Sequence, residues 1–380
     1  MKCFEKLVLG HIKDTIPDTL DPLQFAYCHN RYTEEAISHT LHTTLAHLDN
    51  KNWYARLLFV DYSSGLNAVI PTELIHKLVG LGLSDRLCNR ILDFLTDRPQ
   101  FVRIGRNISS PLTLNNGTSQ GRVLSPVLYS LFTGDRVARY SSNTVIKFAD
   151  DTTIVGLITN KNEMAYRKEV RLLAEWCPDN NLSLNVSKTK ELVIDFRKQD
   201  TAHAPIYIGG EIVERVNSFR FLGITLTAKL TWTEHTATTI KKAHQHLHFL
   251  MVLKKARIST TVLTTFYRCA VESILTGCIT SWCGSCSIED KKALQRVVKT
   301  AHECIGTQLP AVQDIYTTGC LRKTMRIMRD HSHPARALFS FLLSGKRLRS
   351  IRTRTTRYRN SFYPSAVRVY NTHQCATFNN

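Results

Sequence analysis

Three carboxylates stand where apolar runs end. Residues 56–60, Arg-Leu-Leu-Phe-Val, lead into Asp61. Residues 145–149, Val-Ile-Lys-Phe-Ala, lead into Asp150 and Asp151, after which a second β-like run begins. Strand cores do not tolerate unpaired acids, so acids at such ends need cations or a functional reason. Two strand ends brought together would converge all three carboxylates, which repel one another unless divalent metal neutralises them. Hard oxygen donors select Mg²⁺ or Mn²⁺. Two such ions about 3.5–4 Å apart activate a 3′-hydroxyl and stabilise a leaving pyrophosphate, the chemistry of nucleotidyl transfer. Taken alone, Asp150-Asp151 also fits a plain acidic hairpin turn.

Two further groups of residues bear on function. Cys283 and Cys286 have knuckle-like zinc spacing, with Cys278, His302 and Cys304 in the same region. His302-x-Cys304 is a poor second ligand pair, and cysteine in apolar helical context is also simply a small buried residue. Residues 322–368 hold thirteen Lys or Arg against one acid, Asp330, with Tyr358, Phe362, Tyr363 and Tyr370 within or just beyond the run. Basic side chains neutralise phosphates and aromatics stack on bases, so this stretch is expected to hold nucleic acid. A basic surface helix followed by disorder is the alternative.

Composition agrees with an acidic partner. The 380 residues carry 50 Lys and Arg against 31 Asp and Glu, a net charge of +19, and nucleic acid is the simplest acidic partner. With 43% apolar and 21% charged residues the chain can bury a core. Its eleven cysteines follow no disulfide framework and no leader opens it, so a soluble intracellular protein with reduced thiols is expected. The most apolar stretch, residues 260–285, is interrupted by Arg268 and Glu272 and is expected as a buried helix rather than a membrane span.

The elements that must position these residues follow from pattern. Residues 1–9 have helical apolar spacing from the first residue. The run at 56–60 predicts a buried strand, and 71–75 begins a helix with Pro71 in its first turn. A helix is expected from Ser84 to about Thr96, a strand over 100–105, a turn at Asn115-Asn116-Gly117 and a helix over 123–132. Residues 145–155 predict a hairpin with two acids near its tip. An amphipathic helix over 162–176 follows, then strands at 191–196, 206–208 and 219–226. From Trp232 onward the pattern is helical.

Phe148-Ala149-Asp150-Asp151 resembles the F/Y-x-D-D motif of reverse transcriptases. Phe59-Val60-Asp61-Tyr62-Ser63-Ser64, with the following residues 67–71, resembles the preceding catalytic motif of LINE-type (non-LTR, jockey-like) retrotransposon enzymes. Residues 117–126, Gly-Thr-Ser-Gln-Gly-Arg-Val-Leu-Ser-Pro, resemble their G-T-P-Q-G-x-x-L-S-P loop and helix. Asn185 with Ser187-Lys188-Thr189-Lys190 looks like the intervening motif, and Phe221-Leu222-Gly223-Ile224 looks like the primer grip. Residues 24–27 and 33–36 resemble the fingers segment before the first Asp. The resemblance covers nearly the whole chain, in the family's order.

It implies an α+β fold: a reverse-transcriptase palm with partial fingers over 1–230, a helical thumb-like region over 231–305 and a basic C-terminal tail over 306–380. It implies RNA-directed DNA synthesis from deoxynucleoside triphosphates on an RNA template, extending a DNA primer or target, with no membrane partner. A nuclear site of action would suit target-primed synthesis. Asp61, Asp150 and Asp151 would be catalytic and hold Mg²⁺ or Mn²⁺. Tyr62, Leu66, Gln120 and Gly121 would line the nucleotide pocket, with Leu66 where a bulky residue checks the sugar 2′ position. Lys188 or Lys190 would sit near the triphosphate or be a solvated surface charge. Phe221, Leu222 and Gly223 would contact primer or form a plain strand and turn.

The sequence departs from the family pattern in places. Cys28 stands for a common Arg, Tyr32 for Ser, Gly65-Leu66 for Ala-Phe, and Ser119 for Pro. An endonuclease region and the earlier fingers residues are expected to lie outside these 380 residues, as in an N-terminally truncated copy. The alternative is therefore a catalytically inactive, nucleic-acid-binding remnant. A weaker one is a tRNA-modification or repair factor, because residues 230–255 resemble a short segment of AlkB-homologue proteins. An H-x-D iron-binding motif with a matching distant His, which such an enzyme needs, is not found.

Overall fold

The structure is a computed structural model and describes residues 2–16, 20–63, 65–119, 121–197 and 202–378. The chain begins with α1 (Lys2–Thr15) and α2 (Thr33–Leu48). Next is β1 (Tyr54–Val60), buried at every position, as a run apolar on both faces requires. α3 (Pro71–Gly80) starts on Pro71, whose missing N–H costs nothing in a first turn. α4 (Asp85–Leu95) leads into a ribbon of short strands, β2 (Arg98–Gln100), β3 (Arg103–Ile104), β4 (Asn107–Ile108) and β5 (Leu112–Leu114). α5 (Ser125–Phe132) precedes the antiparallel hairpin of β6 (Asn143–Phe148) and β7 (Asp151–Ile158). α6 (Met164–Asp179), β8 (Lys190–Asp195), β9 (Tyr207–Ile208), β10 (Glu211–Ile212) and β11 (Glu214–Arg215) follow.

After a second hairpin, β12 (Ser218–Phe221) and β13 (Ile224–Thr227), the chain is helical. α7 (Thr233–Lys255), α8 (Thr260–Phe266), α9 (Ser273–Leu275) and α10 (Ile279–Trp282) come first. α11 (Ile288–Ile305), α12 (Val312–Arg329), α13 (Thr356–Arg359) and α14 (Phe362–Phe378) end it. The mixture of helix and sheet is the expected α+β class.

The residues group into two compact units. The first comprises Met1–Arg31, Arg56–Glu191 and Thr201–Arg215. Its sheet runs β11-β8-β1-β7-β6, with β11 parallel to β8, and the division between units passes through β1 and β8. Ile12 of α1, Leu74 and Leu78 of α3, Ile91 and Leu95 of α4 and Phe132 of α5 form one apolar cluster. Charges are also buried here, each with partners. The fully buried Arg56 grips Glu191 through two hydrogen bonds of 2.8 Å and reaches Glu163 at 2.6 Å. Deleting Glu191 would remove the two-bonded partner of this buried cation, at about 3–5 kcal/mol.

The second unit comprises Tyr32–Ala55, Leu192–Asp200 and Val216–Asn380. Its α2 packs against α10, α13 and α14. Lys323 on α12 is buried and donates to Ser38 Oγ (2.8 Å), Thr280 Oγ1 (3.2 Å) and the Glu34 carbonyl (3.1 Å). Arg326 pairs with Glu35. These two members of the basic run are therefore internal struts.

Three expectations change in this unit. Tyr358, Phe362 and Tyr363 are 5%, 2% and 0% exposed, so they are core side chains and offer no face to a base. The rings of Tyr358 and Tyr363 pack on His42. Residues 219–226 are a hairpin rather than one strand, because Leu222 and Gly223 both take positive φ (45° and 94°), the two-residue turn that suits strand twist. Residues 260–285 have the length and composition of a membrane span, with 28% of the apolar window buried. They form no single core helix: a π-helical stretch (Tyr267–Glu272) interrupts them and the left-handed Cys278 (φ 50°) ends the path.

Candidate active site

Asp61 is the first residue beyond β1 and is half-buried. Its backbone is held on both sides by one loop. The Asp61 N–H donates to Thr189 Oγ1 (3.2 Å) and its carbonyl accepts from the Asn185 N–H (2.9 Å). The motif around Asn185 thus fixes where the first carboxylate emerges. The Tyr62 hydroxyl, 3.4 Å from Thr152 Oγ1, ties the same strand end to β7.

The other two acids sit at the hairpin tip, as the pattern predicts. Phe148 pairs with Asp151, which leaves Ala149 and Asp150 as the two-residue turn. Ala149 takes φ 58°, a left-handed conformation that costs a non-glycine residue about 1–2 kcal/mol. The buried Gln24 holds that turn. Its Oε1 accepts from the N–H groups of Ala149 (3.2 Å) and Ala26 (3.0 Å).

The three carboxylates converge electrostatically. The Asp151 carboxyl is raised above its ordinary value by burial, then by Asp150, then by Asp61, and no cation enters among the causes. The Tyr27 phenol is raised by burial and by Asp150, which marks it as a neighbour of the tip. Gly65 completes the approach: a Cβ there would lie 3.0 Å from Tyr129 Oη and 3.2 Å from Asp150 Cβ. Among the described residues no group of three or more His, Cys, Asp or Glu side chains is arranged so that it could hold a metal ion. The donor chemistry nevertheless fits a hard divalent cation: three carboxylates, mutually unfavourable, with oxygen the only ligand atom.

The loop over residues 117–121 is docked on the Asp61 segment. The Gly117 N–H donates to the Val69 carbonyl (2.7 Å), and the Thr118 N–H to the Leu66 carbonyl (2.9 Å). Gly117 has φ 74° and a Cβ there would meet Asn67 Cα at 2.8 Å, so only glycine permits this contact. Leu66 is partly buried against the apolar cluster of α1, α3, α4 and α5. Gln120 lies outside the described residues; Gly121 takes φ 78°. Lys188 is exposed, whereas Lys190 is occupied by Glu214 (2.6 Å).

Sequence reasoning missed three residues that shape this loop. Arg98 donates to Ser119 Oγ (2.9 Å) and to the carbonyls of Asn116 (2.5 Å), Gly117 (2.8 Å) and Leu95 (2.9 Å). It lines a cleft of about 770 Å³ together with Asn67, Gln100 and Thr118. Glu5 accepts from the Val123 N–H (2.6 Å) and pairs with Arg122 (3.3 Å). Tyr129 presents a buried hydroxyl without a hydrogen-bond partner. A lone Arg opening a strand and a lone Glu in a helix give no periodic signal; their partners are distant in sequence.

Residues 1–226 match the family model "Reverse transcriptase (RNA-dependent DNA polymerase)". The chain belongs to the reverse transcriptase family. Its relatives agree with the LINE-type resemblance. It is 26% identical over 272 residues to the probable RNA-directed DNA polymerase from transposon BS of Drosophila melanogaster, covering 69% of this chain and 30% of that one. It is 26% identical over 256 residues to the RNA-directed DNA polymerase from mobile element jockey of the same fly, covering 64% and 27%. The chain thus spans about 30% of the length of the curated relatives it matches. Apo telomerase from Candida tropicalis overlays with a TM-score of 0.45 and 11% identity, covering 98% of this chain and 58% of that one, a likeness too slight to carry weight. Residues 232–273 also match "Alkylated DNA repair protein alkB homolog 8, N-terminal"; they span α7, α8 and the π-helical stretch.

The remaining candidates of this reverse transcriptase chain lie in its second unit. Phe221 is buried, with Leu222 and Gly223 at the hairpin turn. Burial raises the Cys283 thiol to about 11 and the Cys286 thiol further still, and among the described residues no group of three or more His, Cys, Asp or Glu side chains could hold a metal ion.

Proposed function

We propose that this chain carries the polymerase core of a LINE-type element and performs RNA-directed DNA synthesis. In this reading residues 1–230 supply partial fingers and palm, 231–305 a thumb-like helical region and 306–380 a basic stretch for nucleic acid. Asp61, Asp150 and Asp151 hold Mg²⁺ or Mn²⁺. When bound, these ions supply Lewis-acid activation of the 3′-hydroxyl and charge neutralisation at the leaving pyrophosphate.

The protein's own part is placement. The Asn185–Thr189 loop fixes Asp61, and Gln24 fixes the Ala149–Asp150 turn. Gly117 and Thr118 dock on the Val69 and Leu66 carbonyls, and Tyr62, Leu66, Gln120 and Gly121 are assigned to the nucleotide pocket. Lys188 is the cation left free to meet a triphosphate, since Lys190 is paired. Phe221, Leu222 and Gly223 serve as primer grip. The substrates are an RNA template, a DNA primer or target and deoxynucleoside triphosphates.

What supports this reading is the family match together with the placement of the acids, Asp61 just beyond β1 and Asp150 and Asp151 at the β6–β7 turn, where Asp151 is raised by burial and by both other acids. Purified chain should extend a DNA primer on an RNA template with Mg²⁺. Asp150→Asn should slow extension by about 10²-fold or more, the scale of losing one preorganised charge contact. Template binding without extension in the wild type would instead support a noncatalytic remnant.

A further inference from the structure

The basic run is not uniformly available, and the structure separates its members. Lys323 and Arg326 are committed to Glu34 and Glu35. Arg357 is not: no carboxylate pairs with it among the described residues. Its guanidinium lies 3.6 Å above the Phe196 ring, and burial lowers its pKa from the ordinary value. Arg357 is exposed, so a cation seated on an aromatic ring and lacking a counter-charge is open to an anion.

Arg357 lines a cavity of about 270 Å³ within the second unit. Lys229 and Thr231, from the turn before α7, line it too, as do Ser287, Asp290 and Asn360. Asp290 is its one acid, and that carboxylate is already engaged by Thr236 Oγ1 (2.8 Å) and Thr233 Oγ1 (3.3 Å). Ser287 caps α11, whose eighteen residues aim the positive end of a helix dipole at this wall. The walls therefore set two exposed cations, hydroxyls and a helix N-terminus against one hydroxyl-bonded carboxylate.

We infer that this cavity is a phosphate subsite that seats one phosphodiester of a single nucleic-acid strand, with Arg357 as its fork and Lys229 as its second charge. The subsite rests on the nucleic-acid part of the proposed function but not on turnover. The cavity of about 270 Å³ has room for a phosphate and its ester oxygens. The planar Arg357 can meet two phosphate oxygens at once, which Lys cannot.

The test uses the full chain and fluorescent single-stranded RNA and DNA oligonucleotides, titrated across a range of KCl. Arg357→Ala is expected to weaken binding about tenfold at moderate salt and to flatten the log K against log salt slope by about 0.7, the single-strand value for one phosphate contact. Arg357→Lys is expected to keep the slope while losing part of the affinity. Arg296→Ala, an exposed cation on α11 outside the cavity, controls for general charge loss. If Arg357→Ala and Lys229→Ala do no more than Arg296→Ala with both strands, the subsite is refuted. A loss confined to RNA or to DNA would name the strand it holds. Primer extension read in parallel separates the two ideas: extension that depends on Asp150, with unchanged strand affinity in Arg357→Ala, sinks the subsite and leaves the polymerase standing.

Discussion

Gly65 packs directly against Tyr129 and Asp150, and the structure gives a reason for glycine there. A Cβ at 65 would press on Tyr129 Oη at 3.0 Å, and the Tyr129 ring is 1% exposed and cannot swing aside. Gly65→Ala should therefore destabilise by about 1–3 kcal/mol, the usual cost of overpacking. Tyr129→Phe removes a buried hydroxyl that has no partner and should be neutral or slightly stabilising. In the Tyr129→Phe background Gly65→Ala should recover most of its loss. Urea denaturation of the four proteins checks this; additive effects, with coupling below about 0.5 kcal/mol, would mean the two residues do not meet.

At the scale of elements, the hairpin that carries Asp150 and Asp151 depends on a segment more than a hundred residues away in sequence. Gln24 Oε1 accepts from both Ala26 and Ala149, while its Nε2 has no partner. Gln24→Met keeps the volume and removes the acceptor, leaving two N–H groups unsatisfied at about 1–3 kcal/mol each. The expected result is lower stability and a higher Mg²⁺ requirement for primer extension, because the Asp150 turn loses its brace. An unchanged Mg²⁺ requirement would show that β6 and β7 hold the turn alone. The hairpin itself was legible, since apolar alternation on both sides of two acids admits little else. β1 was legible for the same reason, as an unbroken apolar run. What pattern could not give were contacts between distant residues: Gln24 with Ala149, Glu5 with Val123, Arg98 with Ser119. Tyr358, Phe362 and Tyr363 misled because an aromatic among arginines reads alike whether it faces a base or a core. Only the packing of α13 and α14 on α2 decides that.

Over the whole molecule, the basic excess carries an acid sensitivity through histidine rather than through lysine or arginine. His42 and His235, both in the second unit, are lowered to about 4. Burial is the main cause in each, with the charge of His39 adding to the first and that of Lys242 to the second. The geometry agrees for His235: its Nδ1 accepts the Thr225 N–H at 3.3 Å, which the protonated ring cannot do, and its ring packs edge-on to Trp282. His42 lies between the Tyr358 and Tyr363 rings. Both folded values lie below the ordinary 6.5, so the unfolded chain takes up protons first as pH falls. Stability is then complete above about pH 6.5 and drains away as pH drops towards 4, at up to about 3 kcal/mol per histidine. Carboxylates add their own losses mostly below pH 5, so the interval from 6.5 to 5 belongs to the histidines. Thermal denaturation across that interval should show a steadily falling Tm for the wild type. Each His→Gln substitution should flatten the slope, whatever it does to the absolute Tm. A slope unchanged in the double variant would place the acid sensitivity elsewhere and contradict the buried, neutral state of both rings.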